Sequence, residues 1–351
     1  MIKKITAVIL SFSLILICAL SVSAKEISVS AKACILMDAD TGEILYEKNA
    51  DKKLSMASTT KIMTALLCLE NNERDTLFKI KREHILVEGS SMGLLEGDEV
   101  NLKILAAGML MLSGNDAANA AAIKISGSIE SFCELMNSRA KEMGLLNTSF
   151  KTPSGLDDDE HYSTALDMAR LGAEAIKNPD FLEICSKSKY TVKYNGKRRT
   201  LYNHNRLLKE VEGCIGIKTG FTKKSGRCLV SAVRRNGRTL ICVTLNAPND
   251  WSDHKRLYSL GFDLFENHKL DTDFEHIKLD VLTESDVSLS VSSLGEGEIG
   301  LKKGEEIKRE IYVKPFYFAP VLKGEMAGEA VYIINDKEVL RLPLIFNETV
   351  L

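Results

Sequence analysis

The spacing of apolar residues changes period several times along this chain, and each period predicts a different element. Cys34-Ile35-Leu36-Met37 and Glu43-Ile44-Leu45-Tyr46 flank Asp38-Ala39-Asp40-Thr41-Gly42. Two short apolar runs around an Asp/Gly turn predict a hairpin. Ile62, Ala65, Leu66 and Leu69 then fall at i, i+3, i+4 and i+7, one face of a helix with Ser58 near its start. Residues 109–125, rich in alanine, and 131–143 read as further helices. Residues 163–175 read as another, ending before Asn178-Pro179.

From about residue 188 the pattern turns toward strands. Residues 229–233 and 239–245 are continuous apolar runs, and Asn236-Gly237 between them is a strong hairpin signal. Helical spacing returns over 253–265. Beyond that, Ile277-Lys278-Leu279-Asp280-Val281 and Val287-Ser288-Leu289-Ser290-Val291 alternate apolar and polar positions, as half-buried strands do. Residues 331–334 and 339–342 repeat the alternation around Asn335-Asp336-Lys337-Glu338. The order hairpin, helices, sheet, helix predicts an α/β (α+β) fold, a sheet flanked by helices with strands drawn from both ends of the domain. A small all-β domain follows. The expected division is 1–24, 25–270 and 271–351.

The first 24 residues stand apart. Lys3 and Lys4 open the chain, residues 7–20 are almost wholly apolar, and Val22-Ser23-Ala24 offers small residues for cleavage. That is the pattern of a secretory signal peptide, and it predicts an exported protein of the wall or exterior. An uncleaved anchor is the rival reading, but the apolar core is shorter than the roughly 20 residues a spanning helix needs. Removal would leave 44 basic and 48 acidic residues, a net charge of −4. That balance exerts no long-range pull on nucleic acid, and none is expected as a partner.

Seven cysteines remain after the leader, an odd number with no Cys-x-x-Cys pair. They read as small core hydrophobes rather than a disulfide framework. The six histidines are scattered, with no His-Glu-x-x-His or Cys/His cluster, so no metal and no cofactor is expected. Gly216 and Lys218 miss the phosphate-loop spacing by one residue.

Candidate chemistry lies in three strings: Ser58-Thr59-Thr60-Lys61, Ser113-Gly114-Asn115 and Lys218-Thr219-Gly220. Ser-x-x-Lys alone is weak, since it recurs at Ser138 and Ser186. Ser-x-Asn and Lys-Thr-Gly each occur once, and the set in this order is specific. On a helix, Ser58 and Lys61 share one face. A serine hydroxyl needs a base, and a lysine serves only when neutral. Burial and a neighbouring cation, for which Lys218 is the candidate, both favour the neutral amine. Ser113 is a candidate proton relay between Lys61 and a leaving amine, and Asn115 a candidate holder of a substrate amide. Lys218 and Thr219 are candidate carboxylate contacts, with Gly220 opening the backbone to substrate. The N–H groups of Ser58 and Phe221 are candidate oxyanion donors.

These strings resemble the secreted D-alanyl-D-alanine carboxypeptidases, low-molecular-mass penicillin-binding proteins of the serine DD-peptidase and β-lactamase superfamily. Met56-Ala57-Ser58-Thr59-Thr60-Lys61 looks like that family's nucleophile segment, and Gly216-Ile217-Lys218-Thr219-Gly220-Phe221-Thr222 like its third motif. Asn147-Thr148-Ser149-Phe150, Pro153-Ser154-Gly155-Leu156 and His161-Tyr162-Ser163-Thr164-Ala165 look like its middle region. The likeness spans about 31–267, and more weakly the β domain beyond. It implies an antiparallel DD-peptidase-like sheet with helices. It implies attack by Ser58 on the bond between two terminal D-alanines of a peptidoglycan stem peptide. Lys61 would be the proton acceptor, Ser113 the relay and Lys218 a carboxylate contact. β-Lactams would acylate Ser58.

Relatives often end in an amphipathic helix on the membrane; this sequence stops at Asn347-Glu348-Thr349-Val350-Leu351, so no such anchor is expected, though peripheral membrane association stays open. Arg206 or His204 are candidates for gripping the terminal carboxylate. Asp157-Asp158-Asp159-Glu160 reads as a solvated acidic loop rather than a general base. The rivals are a β-lactamase, a transpeptidase and a non-catalytic wall-binding module. Against the first, no Glu-x-x-Leu-Asn string lies between Asn115 and Lys218.

Overall fold

The computed structural model describes residues 28–283, 287–294 and 297–351. The leader lies outside them. The predicted first hairpin forms as β1 (Ala33–Asp38) and β2 (Ile44–Lys48). A single 3-10 turn, Ala57–Thr60, runs into α1 (Lys61–Glu70). A short ribbon of β3 (Phe78–Lys79) and β4 (Glu99–Val100) brackets α2 (Arg82–Ile85). Then come α3 (Leu102–Leu112), α4 (Asn115–Ser126), α5 (Ile129–Glu142), α6 (Ala165–Ala175) and α7 (Pro179–Cys185).

Two of these differ from the apolar spacing. Residues 109–125 are not one helix: Ser113 is left-handed at φ 61°, so α3 stops there and α4 restarts at Asn115. The alanines continue the helical period across a break that only the backbone sets. α6 ends before Asn178-Pro179 as expected, but Pro179 then opens α7, which the spacing did not announce; in a first turn its missing N–H costs nothing.

β5 (Lys189–Tyr194) and β6 (Lys197–Tyr202) form a separate ribbon, followed by α8 (Leu207–Glu210). β7 (Cys214–Thr222), β8 (Gly226–Arg235) and β9 (Arg238–Leu245) complete the main sheet. Its order is β2-β1-β9-β8-β7, antiparallel throughout. Both ends of the sequence thus contribute strands, and β7 is an edge.

α9 (Asp250–Phe262) ends three residues short of the predicted helix, because Phe265 begins a strand. Every residue of β9 is buried. Ile241, Val243 and Leu245 pack with Met168 and Leu171 of α6 on one face. Leu240 and Cys242 pack with Leu257 and Tyr258 of α9 on the other. A strand covered on both faces has no polar alternation, which explains its continuous apolar run.

The remaining strands are β10 (Phe265–Lys269), β11 (Lys278–Leu282), β12 (Val287–Ser293), β13 (Glu298–Lys302), β14 (Lys308–Val313), β15 (Tyr317–Phe318), β16 (Met326–Ile334) and β17 (Lys337–Phe346). Six of them form a sheet in the order β14-β16-β17-β12-β11-β15 over its own core around Phe274, Val291, Leu344 and Phe346. β10, which precedes residue 270, pairs with β13.

Candidate active site

The three strings meet where the edge strand β7 crosses the start of α1 and the α3–α4 break. Ser58 lies in the 3-10 turn and Lys61 is the first residue of α1. Lys61 is fully buried, and its Nζ lies 3.0 Å from Ser58 Oγ. The same nitrogen reaches Asn115 Oδ1 at 2.7 Å and the Ser154 carbonyl at 2.6 Å. Both of those oxygens only accept. A neutral lysine would donate its two N–H groups to them, leaving its lone pair for the Ser58 hydroxyl.

Burial holds the Lys61 amine well below the usual lysine range, and the Lys218 charge lowers it further. Burial also pushes Lys218 down to about 7. Lys218 donates to Ser113 Oγ at 3.3 Å and to the Thr219 carbonyl at 2.7 Å. The site therefore holds two buried amines beside two hydroxyls, a combination suited to moving protons at near-neutral pH.

Three of the predicted residues have protein contacts that the strings did not announce. Asn115 has protein partners as well: its Oδ1 accepts from Lys61, and its Nδ2 donates one of its two N–H groups to the Glu88 carbonyl at 2.7 Å. It is buried at the start of α4, where it orients the base. Ser113 is bonded to Lys218, and no bond joins it to Lys61 among the described residues. Gly220 is constrained by the protein itself. A Cβ there would lie 3.0 Å from the nitrogens of Ser58 and Thr59. Its bareness lets β7 press against the nucleophile turn. Thr219 is half-buried and Phe221 is 64% exposed beside it.

Several supports were not legible as such. Ala57 is left-handed at φ 48°, a conformation that costs a side chain roughly 1–3 kcal/mol unless the surroundings enforce it. Thr60 Oγ1 donates to the Ala57 carbonyl at 2.8 Å, and His161 Nε2 meets the same hydroxyl at 2.8 Å. His161 Nδ1 accepts from the Lys151 N–H at 3.0 Å, so the ring proton sits on Nε2 and points at Thr60. Burial keeps this imidazole neutral, down to about 4. Gly155, at φ +81°, passes so close that a Cβ would meet the Ala57 oxygen at 2.0 Å. The Pro-Ser-Gly-Leu string carried that signal, but nothing in it named the partner.

Asp116 builds the adjoining lip. It is buried and accepts from Ser91 Oγ at 2.6 Å and from the N–H groups of Met92, Gly93 and Leu94. The acidic loop has protein partners of its own. Asp157 accepts from Thr222 at 2.9 Å and Asp159 pairs with Lys224 at 2.5 Å, tying the loop to the β7–β8 turn. Arg206 pairs with Glu210 at 2.7 Å and lies over Trp251. His204 stands closer to the site, and burial together with the Lys218 charge lowers its titration range. Among the described residues, no acidic, histidine or cysteine cluster would hold a metal ion, and no helix is long and apolar enough to cross a membrane.

The peptidase S11 family model, described as D-alanyl-D-alanine carboxypeptidase, matches residues 20–249. The D-alanyl-D-alanine carboxypeptidase DacF of Bacillus subtilis is 35% identical over 329 residues, covering 90% of this chain and 84% of the relative. DacC of Escherichia coli is 35% identical over 346 residues, 92% of this chain and 85% of the relative. Among solved structures, penicillin binding protein 5 of Haemophilus influenzae aligns with a TM-score of 0.64 at 30% identity, over 92% of this chain and 98% of that one. The Streptomyces K15 DD-transpeptidase aligns with a TM-score of 0.65 at 33% identity, over 68% of this chain and 99% of that one. The chain belongs to the serine D-alanyl-D-alanine carboxypeptidases, penicillin-binding hydrolases of the cell wall that act outside the cytoplasm.

Proposed function

We propose that Ser58 is the acyl-ester nucleophile and Lys61 its base. Ser58 Oγ attacks the carbonyl between the two terminal D-alanines while its proton passes to the Lys61 lone pair. The new Oγ–C bond forms a tetrahedral oxyanion, which the Ser58 and Phe221 N–H groups stabilise. Ser113 gives a proton to the leaving nitrogen and is replenished from the lysine pair. D-Alanine departs, and water, deprotonated by the same base, hydrolyses the ester. Lys218 and Thr219 attract the terminal carboxylate. A β-lactam follows the same path as far as the acyl-enzyme.

The observation that carries this reading is the 3.0 Å approach of a fully buried lysine nitrogen to Ser58 Oγ, with a second buried lysine beside it. The organisation proposed with it is an exported chain whose leader is 1–24, a catalytic unit over 25–270 and a supporting β unit over 271–351. The stem peptide is its substrate.

Mass spectrometry after incubation with penicillin, then with a diacetylated Lys-D-Ala-D-Ala peptide, tests it. One adduct on Ser58 and release of D-alanine are expected. Full penicillin labelling of Ser58→Ala would remove Ser58 from the mechanism. The K15 neighbour is a DD-transpeptidase by name, which supports one second reading: acyl transfer to an amine acceptor. A joined peptide product when an acceptor is added would reveal it.

A further inference from the structure

The β5–β6 ribbon carries a charge pattern that the catalytic site does not use. Lys187, Lys189, Lys193, Lys197, Arg198 and Arg199 fall within thirteen residues that contain no acid, in a chain whose overall balance is acidic. The ribbon turns at Asn195-Gly196, both left-handed, so its register is fixed: Lys189 faces Tyr202, Thr191 faces Thr200 and Lys193 faces Arg198. Strand alternation then separates two faces. The inner face holds Val192 and Leu201, buried against the helical core, with Arg199 donating to the Tyr194 hydroxyl at 2.8 Å. The outer face is Lys189, Thr191, Lys193, Arg198, Thr200 and Tyr202, all exposed.

Lys187, Lys189, Lys193, Lys197 and Arg198 form no ion pair among the described residues. Asp98 meets the Asn195 amide at the turn. Like charges set directly opposite on paired strands destabilise the pair. Lys193 opposite Arg198 is therefore a cost that neither side chain offsets with an ion pair among the described residues, and a bound polyanion would relieve it. The ribbon's near end also adjoins the site. Tyr202 is 65% exposed and lies two residues before His204, which feels the Lys218 charge. From there the ribbon extends roughly 17 Å outward at strand rise.

We propose that the outer face of this ribbon is a docking surface for polymeric peptidoglycan, whose stem peptides end in carboxylates, and that it holds the polymer while one stem peptide is trimmed in the adjacent cleft. The proposal rests on the carboxypeptidase reading and deepens it: the substrate is polymer rather than free peptide. Lys193 and Arg198 stand opposite each other across the ribbon and Lys189 lies roughly 13 Å further along the strand, so the face offers a cationic pair and a separate third cation to a chain bearing repeated carboxylates. Tyr202 offers a flat surface for a sugar ring at the cleft end.

The test compares the full chain with the triple variant Lys189→Gln, Lys193→Gln, Arg198→Gln on two substrates. One is the diacetylated tripeptide; the other is purified peptidoglycan stripped of phosphate polymers. D-Alanine release from the tripeptide should be equal in both proteins. Release from peptidoglycan at low salt should fall roughly tenfold in the variant, within the usual range for electrostatic steering. Raising salt from about 50 to 200 mM should slow the native protein on polymer and leave the variant little changed. Equal rates on polymer at low salt would overturn the proposal. So would retention of the native protein on phosphatidylglycerol vesicles but not on peptidoglycan. Absence of tripeptide turnover in the native protein would instead overturn the underlying enzyme reading.

Discussion

Asn115 Oδ1 and Lys61 Nζ lie 2.7 Å apart, both buried, and this contact fixes where the lysine's lone pair can point. The amide is neutral, so it orients the base without recharging it. Asn115→Asp keeps the shape and adds a carboxylate at the same place. An opposite charge at that distance favours the protonated lysine. The acid limb of β-lactam acylation should therefore move to higher pH in Asn115→Asp. Asn115→Ala should slow acylation without that displacement. A stopped-flow acylation profile checks both, and an unmoved limb in Asn115→Asp would remove Asn115 from the base's control.

The nucleophile turn depends on a close approach that no side chain permits. Gly155 combines φ +81° with a Cβ position 2.0 Å from the Ala57 oxygen and 2.8 Å from Thr60 Oγ1. Gly155→Ala must push backbone against backbone, and the backbone that moves carries Ser58. Displacements near 1 Å at a reacting centre cost about 10² in rate. Penicillin labelling of Gly155→Ala should slow by at least that factor, with the thermal midpoint lowered as well. Labelling at the native rate would mean the turn tolerates the shift.

How much of this was readable in advance follows from where each signal resides. The meeting of Ser58 with Lys61 and of Ser113 with Lys218 was legible because hydroxyls and amines recur in three short strings whose order is specific. The sheet was legible where strands alternate or where Asn236-Gly237 announces a turn. The α3–α4 break was hidden, because Ser113 and the alanines beside it fit helical spacing while its left-handed φ does not. The work of Asn115, His161 and Gly155 was hidden for another reason. Each acts on a partner distant in the sequence, and no local pattern encodes that pairing. The close approach of Gly220 to the nitrogens of Ser58 and Thr59 was hidden in the same way.

Arg238 joins the main sheet to the C-terminal strands. It is 1% exposed, donates to Asp38 Oδ2 at 3.0 Å and to the Gly300 carbonyl at 2.7 Å, and pairs with Glu305. Its guanidinium also lies over the Phe265 ring. Arg238→Ala leaves two buried carboxylates without the cation between them. Removing one partner of a buried ion pair costs about 3–5 kcal/mol. Urea unfolding should show that loss, and Arg238→Lys should restore only part of it, since an ammonium cannot fork to both acids. Native stability in Arg238→Ala would show the two sheets to be energetically independent at this point.

The last expectation concerns acid. His254 is fully buried, with Nδ1 2.7 Å from Ser231 Oγ and Nε2 3.0 Å from Thr244 Oγ1. Ser231 Oγ also meets the Tyr258 hydroxyl at 2.6 Å, which closes the network. Burial holds His254 down to about 3 and His161 down to about 4. In the unfolded chain both would titrate near 6.5. Between those values the unfolded state binds more protons, so stability falls as pH falls and is fully present above about 6.5. Each histidine contributes a slope of up to about 1.4 kcal/mol per pH unit, and the two together up to about 2.7. Other groups titrate across the same range: burial raises Asp40 to about 6, which opposes the imidazoles, and lowers His84, His204, Lys61 and Lys218, which adds to them, so the part due to His254 is read as the difference between the native protein and a His254 variant. His254→Gln should start from lower stability at pH 7 yet lose less on acidification, its slope smaller than the native one by up to about 1.4 kcal/mol per pH unit. Urea midpoints at three pH values measure the slope directly. An undiminished slope in His254→Gln would mean that this imidazole is not held neutral in the folded protein.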